Sequence, residues 1–402
     1  MLHHQKFIAP HELHVPREYD VVACARCGFV YADQAMTQEQ LDADYESHSK
    51  YASNVAADTS RTIPATAAAI AAPTDSRWDA ERLEDVAGYL AERLVPSARV
   101  LDAGCSSGTF LRFLQERGFT ETLGLDPSHV AVASALASNR VRALAGSFTS
   151  PPSGIGTFDV VTLSHTLEHI TDVRGAIASL HALLRDEGLA YVEVPDAERY
   201  DRFLVAPFHD FNTEHINHFS IGVLRQLMTA SGFEELDSGA KIVYCSPVDK
   251  YPAIYGLWRK RAQHCVQEAF KRDESLVRAA KRYVVASRER MNRIDCDLRV
   301  ALAMHPNVIL WGAGQLAMKL LCDTVLEEKN VVAIVDSSPQ RHGMHVGSAE
   351  IVPPTALRDV PPYPIVIASI HSDAAIADTI SRRYRLPNPT VRLYRAPADG
   401  AQ

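Results

Sequence analysis

Apolar positions recur along this chain with two alternating periods. In WDAERLEDVAGYLAERL the residues Leu83, Val86, Ala87, Leu90 and Leu94 fall at helical spacing. The short, almost wholly apolar runs ARVLDAG, ETLGLD, FDVVTLS and LAYVEVP read as strands buried on both faces. Between them TFLRFLQERG, the stretch from Val130 to Asn139 and VRGAIASLHALLRDEG read as helices, the last one ended by Gly188. A further helix is predicted from Ile221 to Ser231. Such alternation predicts an α/β fold built on a Rossmann-like parallel sheet, with ligands bound beyond the carboxyl ends of its strands.

From about Tyr255 to Ala303 charged residues surround apolar ones at helical spacing, which predicts one or two long bridging helices. At Asn307 the alternation restarts with NVILWGAG, VVAIVDSS, YPIVIAS and TVRLYR, a second and smaller α/β unit. The expected division is therefore a Cys-containing module over 1–35, a lid or linker over 36–77, a core over 78–250, bridging helices over 251–305 and a C-terminal α/β domain over 306–402.

Composition narrows the partners. A chain of 402 residues, 47% hydrophobic and 22% charged, has an ordinary globular balance and room for two domains. A net charge of -8 argues against nucleic acid or an anionic membrane as the main partner, while a local basic patch can still bind a phosphorylated small molecule. MLHHQKFIAP lacks the signature of a signal peptide, and IPATAAAIAAP is too short and too proline-bounded to span a bilayer. Seven scattered cysteines, an odd number, fit a reducing cytoplasm. A monomer or homodimer is expected.

Two stretches carry candidate chemistry. In VLDAGCSSG, at a strand-to-helix turn, Gly104 permits a tight turn and Gly108 opens the helix without a side chain, so that a ligand can lie against backbone N–H groups. Asp126 ends the next strand 22 positions after Gly104, the spacing at which a carboxylate receives ribose hydroxyls. Ser106 stands where a dinucleotide turn has its middle glycine, which favours a ligand without phosphates. The bland alternative is an ordinary turn with Asp126 capping a helix. In FNTEHINHFS the acid Glu214 and the imidazoles of His215 and His218 fall within five positions. His215 reads as a general base, with Glu214 or His218 orienting it or holding substrate. The alternatives are loop histidines that satisfy backbone ahead of a helix capped by Ser220, and a metal site, although the order is not H-E-x-x-H.

Together these motifs resemble the class I methyltransferases that use S-adenosylmethionine. The resemblance implies a cofactor turn formed by Asp102, Gly104, Cys105 and Gly108, a ribose-binding Asp126, and Ser164 and His165, in FDVVTLS and HTLEHI, beside the cofactor. TEHINHFS and WGAGQLAMKLL are further similar to parts of the three-part sugar C-methyltransferases. That likeness implies Glu214 and His215 as a catalytic pair, with His218 where the family has an aromatic, and a C-terminal domain that helps hold a nucleotide-linked sugar. It also implies a lid tyrosine, matched by Tyr51 or Tyr45, and a zinc module. The zinc module is represented only by Cys24 and Cys27 of CARCGFVY, so it is either completed by His3, His4, His11 or His14 or is a degenerate module held by packing.

The expectation is a methyltransferase acting on a nucleotide-linked or phosphorylated sugar, at carbon, with His215 as base. The nearest rival is O-methylation of a saccharide hydroxyl, since HTLEHI looks like general and O-methyltransferases. From other classes come a non-catalytic binding protein and an NAD oxidoreductase, the latter suggested by Gly312-Ala-Gly314, Ala317 and Asp336.

Overall fold

The computed structural model describes residues 1–48, 77–244, 250–261, 270–369 and 372–393. It divides into two units, Met1–Val21 with Leu204–Thr213 and Lys281–Gln402, and Val22–Phe203 with Glu214–Ala280. Residues 1–35, read above as one module, are thus shared between the two.

The larger unit is built on a seven-stranded sheet. In spatial order its strands are Phe233–Tyr244, Lys250–Lys260, Leu184–Pro195, Phe158–Ser164, Val100–Ala103, Thr122–Asp126 and Ala143–Ala145. The last five run parallel and the first two join antiparallel. Every residue of Val100–Ala103 is buried, as its unbroken apolar run implies. Helices Arg77–Ala91 and Thr109–Glu116 bring Val86, Leu90, Phe110 and Leu114 into one core with Val100 and Val160. The expected α/β, Rossmann-like core is present.

Two predicted helical stretches are strands instead. The helix expected to end at Gly188 stops at Leu183, and Leu184–Pro195 is already strand. Leu184 pairs with Phe158, and Glu187 adopts a left-handed φ of 60°, which no helix admits. Lys250–Lys260 was expected to lie mostly within the bridging helices, yet it is paired on both sides, with Trp258 fully buried. A strand covered on both faces loses the alternation that would have marked it. The long helix begins only at Glu274 and ends at Ala301.

The smaller unit carries a six-stranded sheet in the order His345–Val346, Ala349–Val352, Asn330–Val335, Asn307–Trp311, Ile365–Ile367 and Thr390–Arg392. Its strands are parallel except for the pairing of His345–Val346 with Ala349–Val352. Ile309, Trp311, Val335, Ile365 and Ile367 form its core. Among the described residues no helix is long and apolar enough to cross a membrane.

Candidate functional site

At the carboxyl end of Val100–Ala103 the chain turns into the helix Thr109–Glu116 through three left-handed residues, Gly104 (φ 82°), Ser106 (φ 51°) and Gly108 (φ 78°). The glycines are required for more than the turn. A Cβ on Gly104 would lie 2.5 Å from Thr166 Oγ1, and one on Gly108 would lie 2.3 Å from Val141 Cγ2. The protein's own packing therefore also requires glycine at both positions.

Asp126 stands beside this turn, at the end of the neighbouring strand. Its Oδ2 accepts from Ser106 N at 2.9 Å and its Oδ1 from Ser128 N at 2.9 Å. Burial pushes its pKa up to about 6, against the pull of those two N–H groups. Ser106 Oγ, at the apex, is buried and takes no hydrogen bond.

Asp102 and Cys105, expected at the cofactor, turn their side chains into the sheet. Thr162 Oγ1 donates to Asp102 Oδ1 at 2.6 Å, pinning adjacent strands, and the Cys105 thiol packs against Gly124 in the core. Strand alternation explains Asp102, whose neighbours Leu101 and Ala103 take the opposite face.

The next strand ends at Ser164, whose Oγ accepts from Arg82 Nη1 at 2.6 Å. His165 follows with a left-handed φ of 54°, its N–H bonded to Glu193 O at 2.8 Å. Its ring stands between two carboxylates, with Nδ1 3.2 Å from Glu168 Oε1 and Nε2 3.3 Å from Glu193 Oε1. Burial and Arg82 press the pKa of His165 down, but the carboxylates outweigh them and the net direction is up.

Glu193 is fully buried. Arg82 Nη1 lies 3.1 Å from Oε1, Tyr191 OH donates to Oε2 at 2.7 Å, and Lys241 Nζ closes on the same oxygen. Burial opposes its charge, yet His165, Arg82 and Lys241 hold its pKa well below the usual carboxylate range. Sequence reasoning missed this network. Its one visible signal was a charged residue inside the apolar run YVEVP.

The segment from 167 to 170 is stitched to the segment around His215. Ile216 N donates to Glu168 O at 2.7 Å, and Asn217 Nδ2 donates to Leu167 O at 3.0 Å and to Ile170 O at 2.6 Å. His169 Nδ1 lies 3.0 Å from Glu214 O, and since a carbonyl only accepts, Nδ1 carries the proton. The rings of His169 and His215 meet edge to face at 5.0 Å. Donor atoms of Glu168, His169 and His215 all lie within 4.8 Å of one another.

His215 therefore groups with Glu168 and His169. Glu214 is exposed and contributes its carbonyl to this arrangement. His218 is fully buried, its ring edge-on to Tyr200 at 6.0 Å, and burial lowers its pKa to about 3. The two-residue strand Asn217–His218, paired with Val30 and Tyr31, turns that ring inward, so His218 is not the substrate-facing group expected. A legible hint of the actual grouping was a repeated tripeptide, Glu168-His169-Ile170 and Glu214-His215-Ile216. Tyr51 lies outside the described residues; Tyr45 sits on the helix Gln38–His48.

Cys24 and Cys27 form a tight turn in which Gly28 N bonds to Cys24 O at 2.9 Å. Backbone N–H groups lower the pKa of Cys24, while burial raises that of Cys27. Among the described residues no third His, Cys, Asp or Glu joins the two thiols, so the expected zinc site lacks half of a closed ligand set. Two of the histidines that were to complete it have other partners. His3 bonds Gln5 and stacks on Phe208, and His4 bonds Asp20.

Residues 76–238 match a family model described as a methyltransferase domain. Over this stretch the chain is similar to methyltransferase domains. Among solved structures, an S-adenosylmethionine-dependent methyltransferase from Mesorhizobium loti is similar at 20% identity over 44% of this chain and 100% of its own, with a TM-score of 0.36. Magnesium protoporphyrin IX methyltransferase from Synechocystis PCC 6803, solved with S-adenosylhomocysteine bound, is similar at 16% identity over 46% of this chain and 83% of its own, with a TM-score of 0.37. A methyltransferase from Methanosarcina mazei stands at 17% identity, 44% and 98% coverage and a TM-score of 0.38. Likenesses this distant say nothing about the acceptor. No curated protein matches the chain.

The residues at this turn are of a kind that fits S-adenosylmethionine. The left-handed turn, an acceptor-only carboxylate at the adjacent strand end and the unpartnered Ser106 Oγ are the groups a nucleoside with two ribose hydroxyls needs. S-adenosylmethionine supplies an electron-poor methyl on a sulfonium. In such a transfer the share left to a protein is to orient the acceptor and remove its proton.

In the smaller unit the turn at Gly312 (φ 107°) repeats this geometry. Asp336 Oδ2 accepts from Ala313 N at 2.9 Å and Oδ1 from Ser338 N at 2.8 Å.

Proposed function

We propose that the methyltransferase domain methylates a nucleotide-linked or otherwise phosphorylated sugar in the cytoplasm. Asp126, with the turn 104–108, holds the ribose of the cofactor, and the acceptor proton leaves at His215. What carries this reading is the pair of Asn217 Nδ2 bonds and the Ile216–Glu168 bond. They fasten the His215 segment to residues 167–170, and Thr166 just before them packs on Gly104 of the turn. His215 is half-buried, so its ring can meet a small molecule. The Asp336 turn supports a nucleoside contact in the smaller unit.

In the first reading His215 deprotonates a carbon next to a carbonyl. A specific observation favours a second reading, O-methylation. His215 stands with a buried carboxylate and a second imidazole, a set suited to deprotonating a hydroxyl. Incubating the full chain with methyl-labelled S-adenosylmethionine and a panel of nucleotide-linked sugars, followed by NMR of the product, separates the two. Label on carbon supports the first reading and label on oxygen the second. Absence of transfer to any sugar, with transfer to a non-saccharide hydroxyl, refutes the substrate class.

A further inference from the structure

We infer that Glu168, His169 and His215 form a site for one divalent transition-type cation, of the zinc or manganese kind. This deepens the O-methylation reading and rests on it only for the cation's use.

The central observation is Glu168. Its side chain is 1% exposed, and neither carboxylate oxygen receives a hydrogen bond. His165 Nδ1 stands 3.2 Å from Oε1, and His169 Nε2 is 3.9 Å away. A buried carboxylate faced by one imidazole is only partly compensated, and a cation would complete that compensation. The backbone at this position is committed elsewhere, since Glu168 O already accepts from Ile216 N. The carboxylate is thus the ligating group of a turn that is otherwise tied down.

The second observation is the tautomer of His169. Its Nδ1–H is spent on Glu214 O at 3.0 Å, which leaves Nε2 as a lone pair on the Glu168 side. A ring N–H on a backbone carbonyl with the other nitrogen free is the outer-shell arrangement that orients a metal-binding histidine. His215 supplies a second imidazole, and one donor atom from each of the three residues lies within 4.8 Å of the others. A small inward movement closes such a triangle around one ion. One carboxylate oxygen and two imidazole nitrogens suit zinc or manganese better than calcium or magnesium, and three protein ligands leave positions open for an acceptor hydroxyl.

A cation there lowers the pKa of a coordinated hydroxyl, as it lowers that of water from about 16 to about 7. His215 then acts as ligand, and a strong free base is not required.

The test uses the full chain, stripped with chelator, and titrates it with manganese by calorimetry and with cobalt by visible absorption. One equivalent of each is expected, with a cobalt spectrum free of thiolate charge transfer, which separates this site from Cys24 and Cys27. E168Q and H215Q should each weaken binding about tenfold or more. Both should still bind S-adenosylhomocysteine as tightly as the unaltered protein, which shows that they fold. Absence of binding, a thiolate spectrum, or unchanged affinity in both variants overturns the inference. Methyl transfer by the stripped protein at full rate overturns the cation's use and leaves the proposed function standing. Cation binding without transfer to any hydroxyl does the reverse.

Discussion

Between pH 7 and pH 5 the affinity of this protein for S-adenosylhomocysteine is expected to fall about tenfold. The titrating group is Asp126, which is 1% exposed and whose pKa burial raises to about 6. In the proposed site a ribose hydroxyl donates to the ionised carboxylate. At pH 7 about nine-tenths of the groups carry charge, and at pH 5 about one-tenth. The ligand's own carboxylate and amine titrate outside this window. Calorimetric titration at half-unit steps measures the effect without any turnover. D126N is the control. Its amide keeps one acceptor oxygen but aims an NH2 at one of the backbone N–H groups of Ser106 and Ser128, so it should bind more weakly and show no slope. A flat profile in the unaltered protein, or the same slope in D126N, refutes the assignment. The sign for stability runs the other way. A carboxyl whose pKa is raised on folding contributes stability below its ordinary range, and that contribution, about 3 kcal/mol, fades as pH rises through about 6. Urea unfolding of the ligand-free protein should show this trend.

Three further outcomes follow from the packing and the site. H215Q should lower kcat by about a hundredfold or more while leaving S-adenosylhomocysteine affinity unchanged, and undiminished turnover would remove His215 from the chemistry. Gly108→Ala places a Cβ 2.3 Å from Val141 Cγ2 in a left-handed residue, and should cost about 2 to 4 kcal/mol in a urea melt. E193Q leaves Arg82 and Lys241 around a neutral buried amide and should cost about 3 to 5 kcal/mol. A change below about 0.5 kcal/mol in its unfolding midpoint would show that the network is not a buried ion cluster.

The sequence alone determined the parallel sheets, the glycine turn with its acid 22 residues on, and the restart of the pattern at Asn307, because these are local signals of period, turn residues and spacing. It also singled out His215 as a candidate. It could not say which acid keeps company with that histidine. Glu214 is its neighbour in the chain, but Glu168 joins it through hydrogen bonds linking positions 167–170 to 214–217. The inward turn of His218 and the covered faces of Lys250–Lys260 were hidden for the same reason. Burial and side-chain partnership arise from contacts between distant segments, and no local pattern encodes them. Asp126 shows both halves: its position was legible in the spacing, and its raised pKa came only from the fold that buries it.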